Sequence, residues 1–284
     1  MKTHLSITRI FTLAMIFAVV ASLLPMDRQE AAAARKFPKN PVNKGRTVSW
    51  DCLWFGHYPQ RADGKGGYKN DPIKWRVLSV KKGKALLLAD KNLDVKPYNE
   101  TYVDQTVTWK ASTIRSWLNG YGSRSNRDRK SFTSDNFMDR AFTRAEQRAI
   151  LRKTVKTPTN FKRPVKKFKT TKDKIFLMST AEASNPAYGF PKSYGKAKAR
   201  NAVNTAYTAR ESTMQRAGDK DIWWLRSFVK GPPLWCYGYL ANDDISVDMR
   251  VGVRPMLWLD LSSSAWRAAG SKKIVLKGKQ VKAK

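Results

Sequence analysis

A chain of 284 residues with ten tryptophans, ten tyrosines and twelve phenylalanines carries too much aromatic surface for a disordered polymer. Its 55 Lys and Arg against 22 Asp and Glu give a net charge of +33, which attracts polyanions. Two histidines and two widely separated cysteines cannot supply the usual zinc ligand sets.

The first residues read as a targeting segment. Lys2 and Arg9 flank the start of an apolar run from Ile10 to Leu24, and small residues follow at Ala31 to Ala34. That is the layout of a secretory signal peptide, and the run is shorter than the ~20 residues of a membrane-spanning helix. An uncleaved anchor is the alternative. Residues 1–34 are thus expected to be a signal peptide, 35–46 a basic linker, 47–262 one domain, and 263–284 a basic tail. The mature chain has no further apolar run of spanning length and is expected in the cell envelope or outside the cell.

In "TVSWDCLWFG", Val48, Trp50, Cys52 and Trp54 alternate with smaller or polar residues, as in a half-buried strand. "IKWRVLSVKKGKALLLAD" predicts a hairpin turning at Lys-Lys-Gly, with positive φ at Gly83. "STIRSWLNG" predicts a helix capped by Ser112 and stopped at Gly120. "FTRAEQRAILRK" places Thr143 and Glu146 in capping-box spacing, with Ile150 and Leu151 on the apolar side of the helix. "KRPVKKFKTTKDK" holds seven basic residues and the single acid Asp173, and reads as a solvated loop. The strand "KIFLMS" runs into a helical turn at "STAEAS", and residues 185–218 show no firm period and read as a long surface loop. Four short strands are expected around Trp223, Tyr237, Val247 and Val253. The class is α+β, with an antiparallel sheet and a few flanking helices.

"FGHYPQ", "IKWRVLSV", "ALLLAD", "TWKASTIRSWLN", "AFTRAEQRAI", "DKIFLMSTAEA", "WWLRS" and "VGVRPMLWL" stand here in the order of a bacterial family. The chain resembles that family, domain of unknown function 6273, from Val48 to Leu261. The family in turn resembles the C-type-lectin-like fold, which implies chain ends that meet and a C-terminal run of short strands carrying the binding surface. Formylglycine-generating enzymes share that broader fold and resemble one another in a closely spaced C-terminal cysteine pair. This sequence has no such pair.

Chemistry is sparsely signposted. A Cys52–His57 nucleophile pair would need Cys52 free, whereas an isolated cysteine pair in an exported protein points to a Cys52–Cys236 disulfide. Asp243, Asp244 and Asp248 could form a carboxylate hydrolase, and Asn242, Asp243 and Asp244 could hold calcium, but a tight turn calls for the same residues. No phosphate loop, dinucleotide fingerprint, nucleophile elbow or dedicated nucleic-acid motif is present, so no cofactor or metal is expected. Arg226 in "WWLRS" and Arg254 in "GVRP" sit among bulky apolar neighbours and read as structural joints that must find carboxylates or carbonyls. Alternation in "LWCYGYL" places Trp235, Tyr237 and Tyr239 on one face, a candidate stacking platform beside the turn at Asn242, Asp243 and Asp244. The function expected is a non-catalytic module binding an anionic envelope or extracellular polymer or glycan. The alternative is an envelope-polymer hydrolase with carboxylates between 243 and 248.

Export should remove the chain up to about Ala34. N-terminal sequencing of secreted protein checks this; material that begins at Met1 would refute it.

Overall fold

From Thr47 the alternating pattern becomes a long bent strand, β2 (Thr47–Ala62), in a computed structural model of the chain. The structure describes residues 36–103, 107–158, 168–211, 222–228, 233–236, 240–241 and 245–276. Strand β2 pairs antiparallel with β3 (Tyr68–Lys81), which turns into β4 (Lys84–Ala89). Lys82 and Gly83 at this turn both have positive φ, 49° and 67°, as a two-residue hairpin of the primed type requires. Strand β4 pairs with β14 (Pro255–Asp260), whose other side is taken by β9 (Ile175–Leu177) and then β6 (Ile150–Leu151). Strands β1 (Val42–Asn43) and β15 (Arg267–Val275) both pair with β2 and complete an eight-stranded sheet.

A second, five-stranded sheet runs β12 (Leu240–Ala241), β11 (Pro233–Cys236), β10 (Trp223–Phe228), β13 (Val251–Val253) and β5 (Asp94–Lys96). Its β10–β13 pairing is parallel and the other pairings are antiparallel. Strands β7 (Lys153–Pro158) and β8 (Phe168–Asp173) form a separate two-stranded ribbon. The helices are short: α1 (Thr113–Asn119), α2 (Phe137–Ala141), α3 (Arg144–Ala149), α4 (Thr180–Ala183) and α5 (Ala206–Glu211). Caps explain their ends. Ser112 accepts from the Arg115 amide at the start of α1, and Gly120 at φ 67° stops it. Thr143–Glu146 and Ser179–Glu182 form capping boxes on α3 and α4. The fold is α+β, and among the described residues no helix is long and apolar enough to cross a membrane.

The chain passes between the two large sheets four times, and two of these crossings, from β4 to β5 and from β13 to β14, are short and direct. Asp90 stands at the first of these two and Arg254 at the second. Both are buried, and Arg254 Nε donates to the Ala89 carbonyl at 2.8 Å, so the crossings are tied to each other. Arg254 also lies 5.1 Å above the Trp223 ring and donates to the Arg200 carbonyl. Arg226 in β10 meets the Glu182 carboxylate through both terminal nitrogens and donates to the carbonyls of Leu177 and Lys156. Trp223 and Trp224 point to opposite faces, and both are fully buried. Trp223 donates to the Arg200 carbonyl and Trp224 to the Lys96 carbonyl, so the second sheet is covered on both sides.

Six expectations need correction. The strand expected around Val247 is a turn, with Val247 buried in it. The basic segment read as a solvated loop ends in strand β8, with Asp173 buried. The helix expected over Ile150 and Leu151 ends at Ala149, because these two residues pair with Leu259 and Trp258 on the open side of β14. Much of the segment from 185 is core rather than surface loop: Phe190, Ala199, Arg200, Ala202 and Thr205 are buried. The Arg200 guanidinium coils this segment by donating to the carbonyls of Ala183, Pro191 and Gly195. The basic tail is in part strand β15, which alternates against β2 from Arg267 to Val275. Cys52 and Cys236 are buried but form no disulfide. They belong to different sheets, with the charges of Arg76, Asp90 and Arg254 set around them.

Replacing Arg226 with methionine removes one partner of a buried pair and should cost about 3–5 kcal/mol, because Glu182 and two carbonyls lose their donors. The exposed Arg61–Asp71 pair is screened by water, so Arg61→Met should leave the midpoint nearly unchanged. Urea unfolding at constant m-value checks both.

Candidate functional site

On the face of β2 that carries Trp50 and Cys52, the strand runs from core toward solvent. Trp50 and Cys52 are buried, and Trp54 is half-buried. The registers on either side of β2 place Lys74 of β3 and Arg267 of β15 directly opposite Trp54. Residues directly opposite share a face, so Lys74, Trp54 and Arg267 form a row across three strands, cation–aromatic–cation. The Lys74 ammonium lies 5.8 Å from the Trp54 ring centroid.

This row lines a groove of about 730 Å³, within the range of small-molecule sites. Gln60, Arg61 and Asp71 stand along one wall; Asp90, Lys91 and Leu93 follow β4; Thr205 and Ala206 lead into α5. Gln60 is fixed by donating to the carbonyls of Asp71 and Pro72 at 3.0 and 2.9 Å. Arg61 grips Asp71 with two hydrogen bonds of 2.7 and 2.8 Å. Lys91 and Arg267 are exposed and join no ion pair shown among the described residues.

Asp90 joins the groove to the core. Arg76, opposite Cys52 in register, donates to it at 2.6 Å, and Lys272 of β15 lies 3.4 Å from its other oxygen. Arg76 also donates to the Ala199 carbonyl, drawing the segment before α5 onto the sheet. Burial pushes the Asp90 carboxyl up, but Arg76, Lys272 and Arg254 outweigh it and hold it at about 2. The hydrogen bonds from Arg61 hold Asp71 below its ordinary value as well. Both groove carboxylates are therefore ionised at neutral pH, and neither can serve as the raised proton donor of a two-carboxylate hydrolase.

Burial pushes the Cys52 thiol up to about 11 despite the Lys74 and Arg76 charges. It stays protonated at neutral pH and gives no thiolate for a Cys52–His57 pair. His57 sits beyond a register shift, exposed and opposite Pro72.

Of the residues singled out in the sequence, Tyr237, Tyr239, Asn242, Asp243 and Asp244 lie outside the described residues. Trp235 is described only by its backbone in β11, paired with Trp224 and Ala241. Asp248 is exposed and accepts from the Ser246 hydroxyl. Among the described residues no three His, Cys, Asp or Glu side chains converge as a metal site. Sequence reading missed the groove. Its signal was the alternation of Lys74 and Arg76 around Trp75, with Asp90 ending "ALLLAD".

The sequence profile described as Domain of unknown function (DUF6273) matches residues 82–261. This chain belongs to that family. Comparison with curated proteins and with solved structures finds no match. The matched span of this DUF6273 chain includes Asp90, Lys91 and Arg254, while Trp54, Lys74 and Arg267 of the groove lie outside it.

Asp90 yields a pH signature. Its folded value of about 2 lies below the ordinary 3.8, so its ion pairs stabilise the fold above pH ~4 and lose that effect as pH falls through about 2. Asp90→Asn should be less stable than wild type by about 2 kcal/mol at neutral pH. Urea unfolding from pH 7 downward should show this gap narrowing below pH ~4; a gap independent of pH would refute the assignment.

Proposed function

We propose that this chain is an exported, non-catalytic module that binds an anionic polymer or glycan of the cell envelope or its surroundings. The observation that carries the reading is the Lys74–Trp54–Arg267 row in the groove. A half-buried indole between two cations offers an apolar face for a sugar ring and positive charge for its acidic substituent. Lys91 adds a further cation on the β4 side. The ionised state of Asp71 and Asp90 supports binding over hydrolysis.

A C-type-lectin-like relationship is part of the same proposal. Its support is the pairing of β15 with β2, which brings the two ends of the domain together, and the run of short strands near the C-terminus. Export rests on the basic, apolar and small-residue layout of residues 2–34.

The test is a titration with oligogalacturonate, a carboxylated sugar chain, at low and high salt, with neutral dextran as control. Salt should weaken binding without abolishing it, because ring contact depends on apolar area and charge attraction is screened. Trp54→Ala should remove the salt-resistant part. Lys74→Gln and Arg267→Gln should each weaken the salt-sensitive part. If Trp54→Ala binds like wild type at both salts, the groove is not the site.

A further inference from the structure

The strongly basic segment before Lys174 contains one acid, and the fold hides it. Asp173 is fully buried at the end of β8. It accepts from Arg115 at 2.9 Å, Trp109 at 3.0 Å, Thr171 at 2.6 Å and Tyr121 at 3.2 Å. Arg226 meanwhile donates to the Lys156 carbonyl, so the ribbon of β7 and β8 is pinned from two directions.

Pairing then decides what the ribbon shows to solvent. Val155 and Thr157 of β7 are buried on the face that carries Asp173. The opposite face presents Thr154 opposite Lys172 and Lys156 opposite Thr170, all exposed, and ends at Phe168. Each lysine thus faces a threonine, which avoids like charges directly opposite. The two lysines are diagonal neighbours, roughly 7–8 Å apart at the backbone, whereas Lys169, opposite Thr157, belongs to the face that carries Asp173. None of Lys156, Lys169 and Lys172 joins an ion pair shown among the described residues.

We infer that the outer face of the β7–β8 ribbon binds a linear phosphodiester chain through its phosphates. Ammonium groups are point-charge partners for phosphate, and threonine hydroxyls donate to the same oxygens. Lysines spaced along a ribbon engage successive charges of a polymer rather than one small anion. No residue of this face lines the groove at Trp54, so the two surfaces are separable by mutation.

The experiment titrates wild type, the double variant Lys156→Gln/Lys172→Gln and Thr154→Val/Thr170→Val with oligothymidylate across a salt series. Polyglutamate is the anionic polymer without phosphate. The lysine double variant should lose roughly tenfold in affinity at low salt, and its slope of log K against log salt should be shallower by about 1.4, two phosphates' worth. The threonine variant should keep the wild-type slope and bind oligothymidylate severalfold more weakly, with polyglutamate unaffected. A wild-type slope in the lysine double variant overturns the ribbon as the contact. Equal losses against polyglutamate overturn the phosphate assignment and leave charge alone.

Discussion

A guanidinium carries five N–H donors in a fixed fork, so an arginine buried in a core forces the chain around it to supply oxygens. Arg76, Arg200, Arg226 and Arg254 are all fully buried here, and all but Arg200 draw oxygens from elements distant in sequence. Arg76 ties β3 to the segment before α5, Arg226 ties β10 to α4 and β7, and Arg254 ties the two short sheet crossings together. Arg200 works in both directions. Its side chain coils its own segment, while its carbonyl accepts from Trp223 and Arg254. Burying such charges is costly, and any one of these arginines left without its acceptors would oppose the fold rather than hold it.

The groove inherits this arrangement. Asp90 faces it, yet the charge that holds Asp90 ionised comes from Arg76 and Arg254 in the core and from Lys272 on the neighbouring strand. The negative end of the site is therefore already neutralised, and the exposed cations Lys91 and Arg267 set the sign of what approaches. A buried ion pair, the sheet crossing and the binding wall share one carboxylate.

Local signals carried much of the fold into the sequence. Ser112 and Thr143 act within a few residues of themselves, so their caps were legible, as was the turn at Gly83. What was not legible depends on partners far along the chain. Ile150 and Leu151 have a helical pattern behind them but an open strand beside them, and β14 wins. Nothing local to Arg200 announces that it will be a core residue, because its acceptors are carbonyls, which every residue has. The groove was hidden for a similar reason: Lys74, Trp54 and Arg267 meet only through two strand registers. The arginines at 226 and 254 could be picked out because strand alternation placed them among large apolar neighbours.

The pairing of β15 with β2 has a consequence for the order of events in folding. Residues 47–54 lie against residues 267–275, nearly the whole length of the domain apart in sequence. A chain that emerges from its N-terminus must hold β2, with Trp50 and Leu53, unpaired along that side until β15 has appeared. Contacts of such long sequence separation are slow to form and leave a strand side open to wrong partners in the meantime. The final strand is also the most cationic of the eight-stranded sheet's late arrivals, with Arg267, Lys272 and Lys273 on it. Charge on an edge strand discourages pairing between copies. Strand β15 thus completes the pairing of β2 and, by the same residues, puts charge on the edge that remains.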